Sequence, residues 1–144
     1  MRRFDLSDRP FDVAPLREAL LDARAGAYAG FEGWVRDHHE GRAVVALHYD
    51  AYPALAAREG EAVIHEALAK FEVLDARCVH RHGAVAIGEL AVWVGVSAAH
   101  RGAAFEACRY IIDEVKARVP IWKRESYADG DAGWKHPDEG APRD

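Results

Sequence analysis

At 144 residues, 50% of them hydrophobic, the chain fits one domain, long enough to bury roughly two-thirds of the surface its unfolded form exposes. Its net charge of −5 and pI near 5.9 exclude a general nucleic-acid binder, which needs a basic stripe, so any anion site must be local. No run approaches the roughly 18 apolar residues of a membrane span, no apolar leader core follows Met1-Arg2-Arg3, and Cys78 and Cys108 are too few for a disulfide framework. A cytoplasmic protein with reduced thiols is expected.

In chain order, Phe4–Leu6 reads as a short strand, and Asp12 is placed to cap a helix over Val13–Arg24 that stops at Gly26. Leu16, Leu20 and Leu21 form its core face. The aromatic and small residues of Ala27–Arg36 suit a strand, with Gly30 and Gly33 marking a bend or a close backbone approach. Residues 37–42, DHHEGR, predict a polar loop turning at Gly41, which leads to a strand over Ala43–Tyr49 paired antiparallel with the first. Pro53 opens a helix reaching Phe71 whose Ala56, Val63, Ile64 and Ala67 share one face, with Gly60 as an interior weak point. Arg77–His82 and Leu90–Ser97 read as strands joined by Gly83–Gly88. A helix over Ala99–Arg118 follows, marked by Ala104, Cys108, Ile111, Ile112 and Val115, and Pro120 ends it before a last strand, Ile121–Tyr127. Strand pairs interleaved with two long helices predict an α+β fold, a mainly antiparallel sheet packed with two long helices in the manner of an α/β hammerhead, as a single domain.

Chemistry concentrates around the end of the last helix. At about 100° per residue, Arg101, Phe105, Arg109, Ile112 and Lys116 fall on a strip beside the apolar face. The segment PIWKRE returns directly after the helix, so Lys116 and Lys123, separated by one turn at Pro120, can face one cavity. Two ammonium groups with Arg101 nearby suit phosphate or carboxylate, and Arg36 at the end of the first long strand is a further candidate. Trp122 alternates away from Lys123 and is assigned to core packing. Cys78, His80 and His82 share a strand face, but the outer two lie some 13 Å apart in a regular strand, too far for one ion. His38 and His39 are read as a solvated loop pair, and Cys108 as an inert thiol on an apolar helix face. No metal and no cofactor is expected.

Spaced motifs across residues 3–134 then agree with one family. They comprise Gly26-Ala27, Phe31, Gly33 and Val35-Arg36; Gly41, Val44, Leu47, Tyr49 and Tyr52; His80-Arg81, Gly83 and Gly88; and Ser97, His100-Arg101, Ala104-Phe105, Lys116 and Trp122-Lys123-Arg124-Glu125. In this pattern the sequence resembles the large, catalytic subunit of molybdopterin synthase, departing from it at Asp50, where Glu is usual, and at Leu55, where Met is common. The resemblance implies a sulfurtransferase domain over residues 1–136 with a flexible tail over 137–144. It implies a separate small ubiquitin-like subunit whose C-terminal Gly-Gly thiocarboxylate delivers sulfur to cyclic pyranopterin monophosphate, forming the molybdopterin dithiolene of the molybdenum cofactor. It further implies a homodimer within a heterotetramer, Lys116 and Lys123 as catalytic lysines, and Arg36, His100, Arg101, Arg124 and Phe31 as substrate-binding positions.

The residues agree with this in one independent respect. Neither cysteine reads as a reactive sulfur carrier, so sulfur would have to arrive from outside. The alternative reading is a non-catalytic module that binds a partner's C-terminal carboxylate tail with the same cations.

Overall fold

The computed structural model describes residues 2–128, 130 and 131; the expected tail 137–144 lies outside them. In chain order the described residues form β1 (Phe4–Ser7), α1 (Val13–Glu18), β2 (Ala27–Trp34), β3 (His38–His39), β4 (Arg42–Ala51) and α2 (Pro53–Lys70). These are followed by β5 (Asp75–Arg81), β6 (Gly83–Val85), β7 (Leu90–Ala98), α3 (Arg101–Arg118), β8 (Ile121–Tyr127) and β9 (Gly130–Asp131). The α+β class and the dominance of antiparallel pairing are as expected, but the strands divide between two sheets.

The first sheet has the order β1-β5-β7-β2, with β1 parallel to β5 and the other pairs antiparallel. Its inner strand β7 is the apolar run LAVWVGVSA, buried from Ala91 to Ala98, as a strand covered on both faces requires. On one face Cys78, Val94 and Val96 join the core made with Val63, Ile64 and Ala67 of α2 and Ala104, Ile111 and Val115 of α3. On the other, Trp93 and Val79 pack with Leu20, flanked by Val13 and Leu16. Gly60 is a point of close approach rather than a weak point, because a Cβ there would lie 2.2 Å from Cγ of the fully buried Phe4.

The first helix is shorter than its periodicity predicts. It ends at Glu18, and Asp12 makes no side-chain cap. The Ala19 N–H still bonds four residues back to Pro15 O, but the following two amides bond three residues back, Leu20 N–H to Arg17 O and Leu21 N–H to Glu18 O, which tightens the turn. The Asp22 carboxylate then accepts the Arg24 N–H at 2.9 Å and the Arg24 guanidinium at 2.8 Å. This bend delivers Leu20 to Trp93 and leaves Leu21 77% exposed, so Leu21 is no core residue.

The predicted pairing of the first two long strands is also replaced. β2 pairs with β7 along its whole length, Ala27 opposite Ala98 and Phe31 opposite Val94. β4 instead builds the second sheet, with β8 on one side and β3 and β6 on the other. The separation arises at the loop, where Glu40 (φ 52°) and Gly41 (φ 78°) form a two-residue turn that folds β3 back on β4. Among the described residues no helix is long and apolar enough to cross a membrane.

Candidate active site

Where the two sheets meet, a cavity of about 250 Å³ opens between the end of β2, β3, β4, the end of β5, the last turn of α3, and β8. Its wall includes Lys116, Lys123, Arg36 and Phe31. The local reason for the lysine pair is simple. Lys116 sits in the last helical turn, where the helix dipole favours a cation, and Pro120 prevents the helix from continuing. The chain therefore reverses into β8, and alternation along that strand points Lys123 and Glu125 to the same side as buried Ile121 and Tyr127.

The same alternation separates other candidates from the cavity. Arg124 stands opposite His48 in β4, faces away from Lys123, and is not part of the wall. Trp122 lies on this outer face too; it is half-buried and meets Tyr52 edge-on at 5.4 Å, so it is not the core residue expected. His100 and Arg101 cap and begin α3, exposed, and about 22 Å along the axis from Lys116 at 1.5 Å per residue. Within one chain they do not join the lysines. The strip from Arg101 to Lys116 is not uniform either, since Phe105 is 64% exposed while Ile112 is buried.

Several wall residues carry chemistry that the sequence reading did not assign. Glu125, 6% exposed, lies 3.3 Å from the Lys123 ammonium. Its parity with Lys123 was the available signal. His80, buried at the end of β5, donates from Nδ1 to the Arg81 carbonyl at 2.7 Å and meets Tyr49 edge-on at 5.0 Å. Burial pushes its imidazole down to about 4, with the Lys116 charge adding to the effect, so it is neutral at physiological pH. Tyr49 is pushed up to about 12, by burial first and then by the Glu125 charge.

His39 corrects the expectation of a solvated histidine pair. His38 is exposed beside Asp37, but the two-residue strand turns His39 inward to 2% exposure, with Nδ1 3.0 Å from Arg36 Nη2. At the cavity mouth a register shift between Gly33 and Trp34 leaves the indole 68% exposed, its N–H on Glu32 Oε1 at 3.1 Å. Gly33 itself leaves room for Val92, whose Cγ1 would be 2.8 Å from a Cβ there.

Neither thiol is poised as a nucleophile. Burial raises both, Cys78 strongly and Cys108 to about 11, so both are protonated at neutral pH. Cys78 and His80 are buried within the strand, and no three His, Cys, Asp or Glu side chains among the described residues cluster to hold a metal ion.

The chain can be set beside known proteins on this geometry. Residues 6–118 match the family described as MoaE protein. A relative from Oryza sativa subsp. indica, named molybdopterin synthase catalytic subunit, is 51% identical over 124 residues, covering 86% of this chain; the chain spans 64% of that relative's length. One of the same name from Thermoplasma volcanium is 49% identical over 130 residues, covering 90% of this chain and 95% of the relative. The crystal structure of molybdopterin synthase from Staphylococcus aureus superposes with a TM-score of 0.87 at 32% identity, over 94% of this chain and 98% of the other. With its family match, its sequence identity and its fold in agreement, the chain belongs to the MoaE protein family.

Proposed function

We propose that this protein is the catalytic subunit of a molybdopterin synthase, a cytoplasmic sulfurtransferase that passes sulfur from the C-terminal thiocarboxylate of a small ubiquitin-like subunit to cyclic pyranopterin monophosphate. The observation that carries the reading is the meeting of Lys116 and Lys123 with Arg36 in one cavity, in a chain whose two thiols are buried and protonated. Such a chain has no sulfur nucleophile of its own. A cation-lined cavity accepts one from outside as an anion, and the same cations suit the phosphate of the acceptor.

Lys116 and Lys123 have the catalytic role in this reading. The thiocarboxylate sulfur bonds to a carbon of the acceptor as that carbon loses an oxygen substituent. Water then adds to the acyl carbon, negative charge gathers on the acyl oxygen, and the acyl carbon–sulfur bond breaks to leave a carboxylate on the donor and the sulfur on the acceptor. Ammonium groups already held around the cavity stabilise that charge without reorganisation. Glu125 keeps Lys123 in place, while Arg36 and Phe31 hold the substrate. His100 and Arg101 serve a cavity only if a second copy brings them to it, which fits the proposed homodimer within a heterotetramer. The exposed Phe105 on α3 and the open edge of β2 are surfaces such a dimer can cover.

The test is to mix the protein with thiocarboxylated small subunit and cyclic pyranopterin monophosphate and to assay for molybdopterin. Product formation is expected. A stable complex that yields none would establish the alternative, a module that binds the partner's tail without catalysis.

A further inference from the structure

Arg36 follows the end of β2 on an exposed, flexible stem, so something must hold its guanidinium if it is to present donors to a ligand. The contact that does so is unusual in its direction. A guanidinium only donates, so in the 3.0 Å contact Arg36 Nη2 is the donor and His39 Nδ1 the acceptor. The ring is thereby fixed as the Nε2–H tautomer. That tautomer leaves Nε2 buried with no hydrogen-bond partner among the described residues; the nearest carboxylate oxygen, Glu40 Oε1, lies 3.4 Å away. A buried histidine free to choose would put its hydrogen where it is used.

Local structure explains why the ring accepts this position. The turn at Glu40 and Gly41 sets His39 opposite Arg42 and His38 opposite Ala43, and this register sends His39 inward at 2% exposure. A one-residue slip would exchange the two histidines and leave Arg36 without its acceptor. We infer that His39 is a positioning residue for the proposed reaction: its Nδ1 accepts from one of the five Arg36 N–H groups and so holds the guanidinium at the cavity wall, leaving the others for an anionic group of the pterin substrate. The inference rests on the proposed role of Arg36 in substrate binding.

Steady-state kinetics of the complete two-subunit enzyme test it, with KM measured for cyclic pyranopterin monophosphate. His39→Leu, which removes the acceptor, should raise KM about tenfold or more, the worth of a hydrogen bond to a charged group, with kcat within about twofold of the parent. His39→Asn carries its amide oxygen where Nδ1 stood and should recover most of the loss; His39→Gln carries the amide one bond farther and should not. In an Arg36→Ala background His39→Leu should add nothing, because the two act as one unit. A parent-like KM in His39→Leu overturns the inference, as does a loss of equal size in the Arg36→Ala background. Should the leucine variant not fold, the Asn and Gln pair decides, and equal KM values for the two overturn it. If Arg36→Ala alone keeps the parent KM, it is the substrate-binding role of Arg36 that has failed, and the inference falls with it.

Discussion

On the flank where α2 meets α3, Arg118 donates to both oxygens of Glu66 at 2.6 and 2.9 Å and to Glu114 at 3.2 Å, with Glu59 at 3.9 Å, whereas the cavity wall carries Arg36, Lys116 and Lys123 against one carboxylate, Glu125. The residue types are the same in both places. The flank surrounds one cation with three acids, bidentate to Glu66, so the Arg118 guanidinium is answered within the chain. The cavity wall instead gathers three cations and one carboxylate in a concave place. Strong pairing is therefore a poor marker of function here, and local imbalance in a concave site is the better one.

The largest expected effect tests whether that imbalance is catalytic. Lys116→Ala should lower turnover by on the order of a hundredfold or more, as loss of a donor to a developing oxyanion does, and Lys123→Ala comparably or somewhat less. Arginine at either position should restore little, since a planar guanidinium does not reproduce a compact ammonium. Single-turnover assays with small-subunit binding measured alongside check this; a parent rate in Lys116→Ala would reduce the lysine to a solvated flank charge like those around Arg118.

Stability should separate the clusters next. Glu125→Ala leaves the Lys123 ammonium, 15% exposed, without its partner, and should cost about 3 kcal/mol in urea unfolding. Glu66→Ala breaks an exposed pair and should shift the midpoint only slightly, the more so in high salt. Equal losses in the two variants would erase the distinction drawn between cavity and flank.

The two regions should also respond to acid in different windows. His80 has a folded pKa of about 4 against an ordinary 6.5, so between these values the unfolded chain binds a proton that the folded chain does not. Stability therefore rises with pH across that window and is lost as pH falls from about 6.5 to 4, by up to about 3 kcal/mol. Glu66 is held down to about 2, by the Arg118 hydrogen bond first and then that of Tyr110, so the flank's contribution is lost only as pH falls from 4.5 toward 2. Plots of stability against pH for the parent and His80→Gln should differ in slope between about pH 4 and 6.5 and run parallel on either side of that window. Identical slopes between about pH 4 and 6.5 would mean that His80 is not held neutral by the fold.

The smallest effect is expected from Arg118→Ala. Turnover should be unchanged and the unfolding midpoint only slightly lower, because the residue lies on the α2–α3 flank and is not part of the cavity wall. A tenfold loss of turnover would show that the flank supports the site after all.

Some of the site was legible because it is local in sequence. Lys116 and Lys123 are seven positions apart across one proline, and helix ending, turn and strand parity bring them together without knowledge of the rest of the fold. The same parity would have added Glu125 and excluded Arg124. The placing of Arg101 beside Lys116 within one chain did not hold for a different reason: angular phase around a helix says nothing of distance along it, and fifteen residues separate the two. His39 was not legible, since its burial depends on the register of a two-residue hairpin and on the neighbours that cover it.

The amino-acid sequence by itself determined the elements whose signal is repeated and local: the apolar faces of α2 and α3, the continuous apolar run of β7, and the stop at Pro120. It also carried the family's spaced motifs. Tertiary structure decided that β2 joins β7 instead of β4, that Gly60 admits Phe4, and that His39 and His80 enter the cavity wall. These outcomes depend on contacts between residues far apart in the chain, where many pairings satisfy the same local pattern and only the packed core and its hydrogen bonds select one.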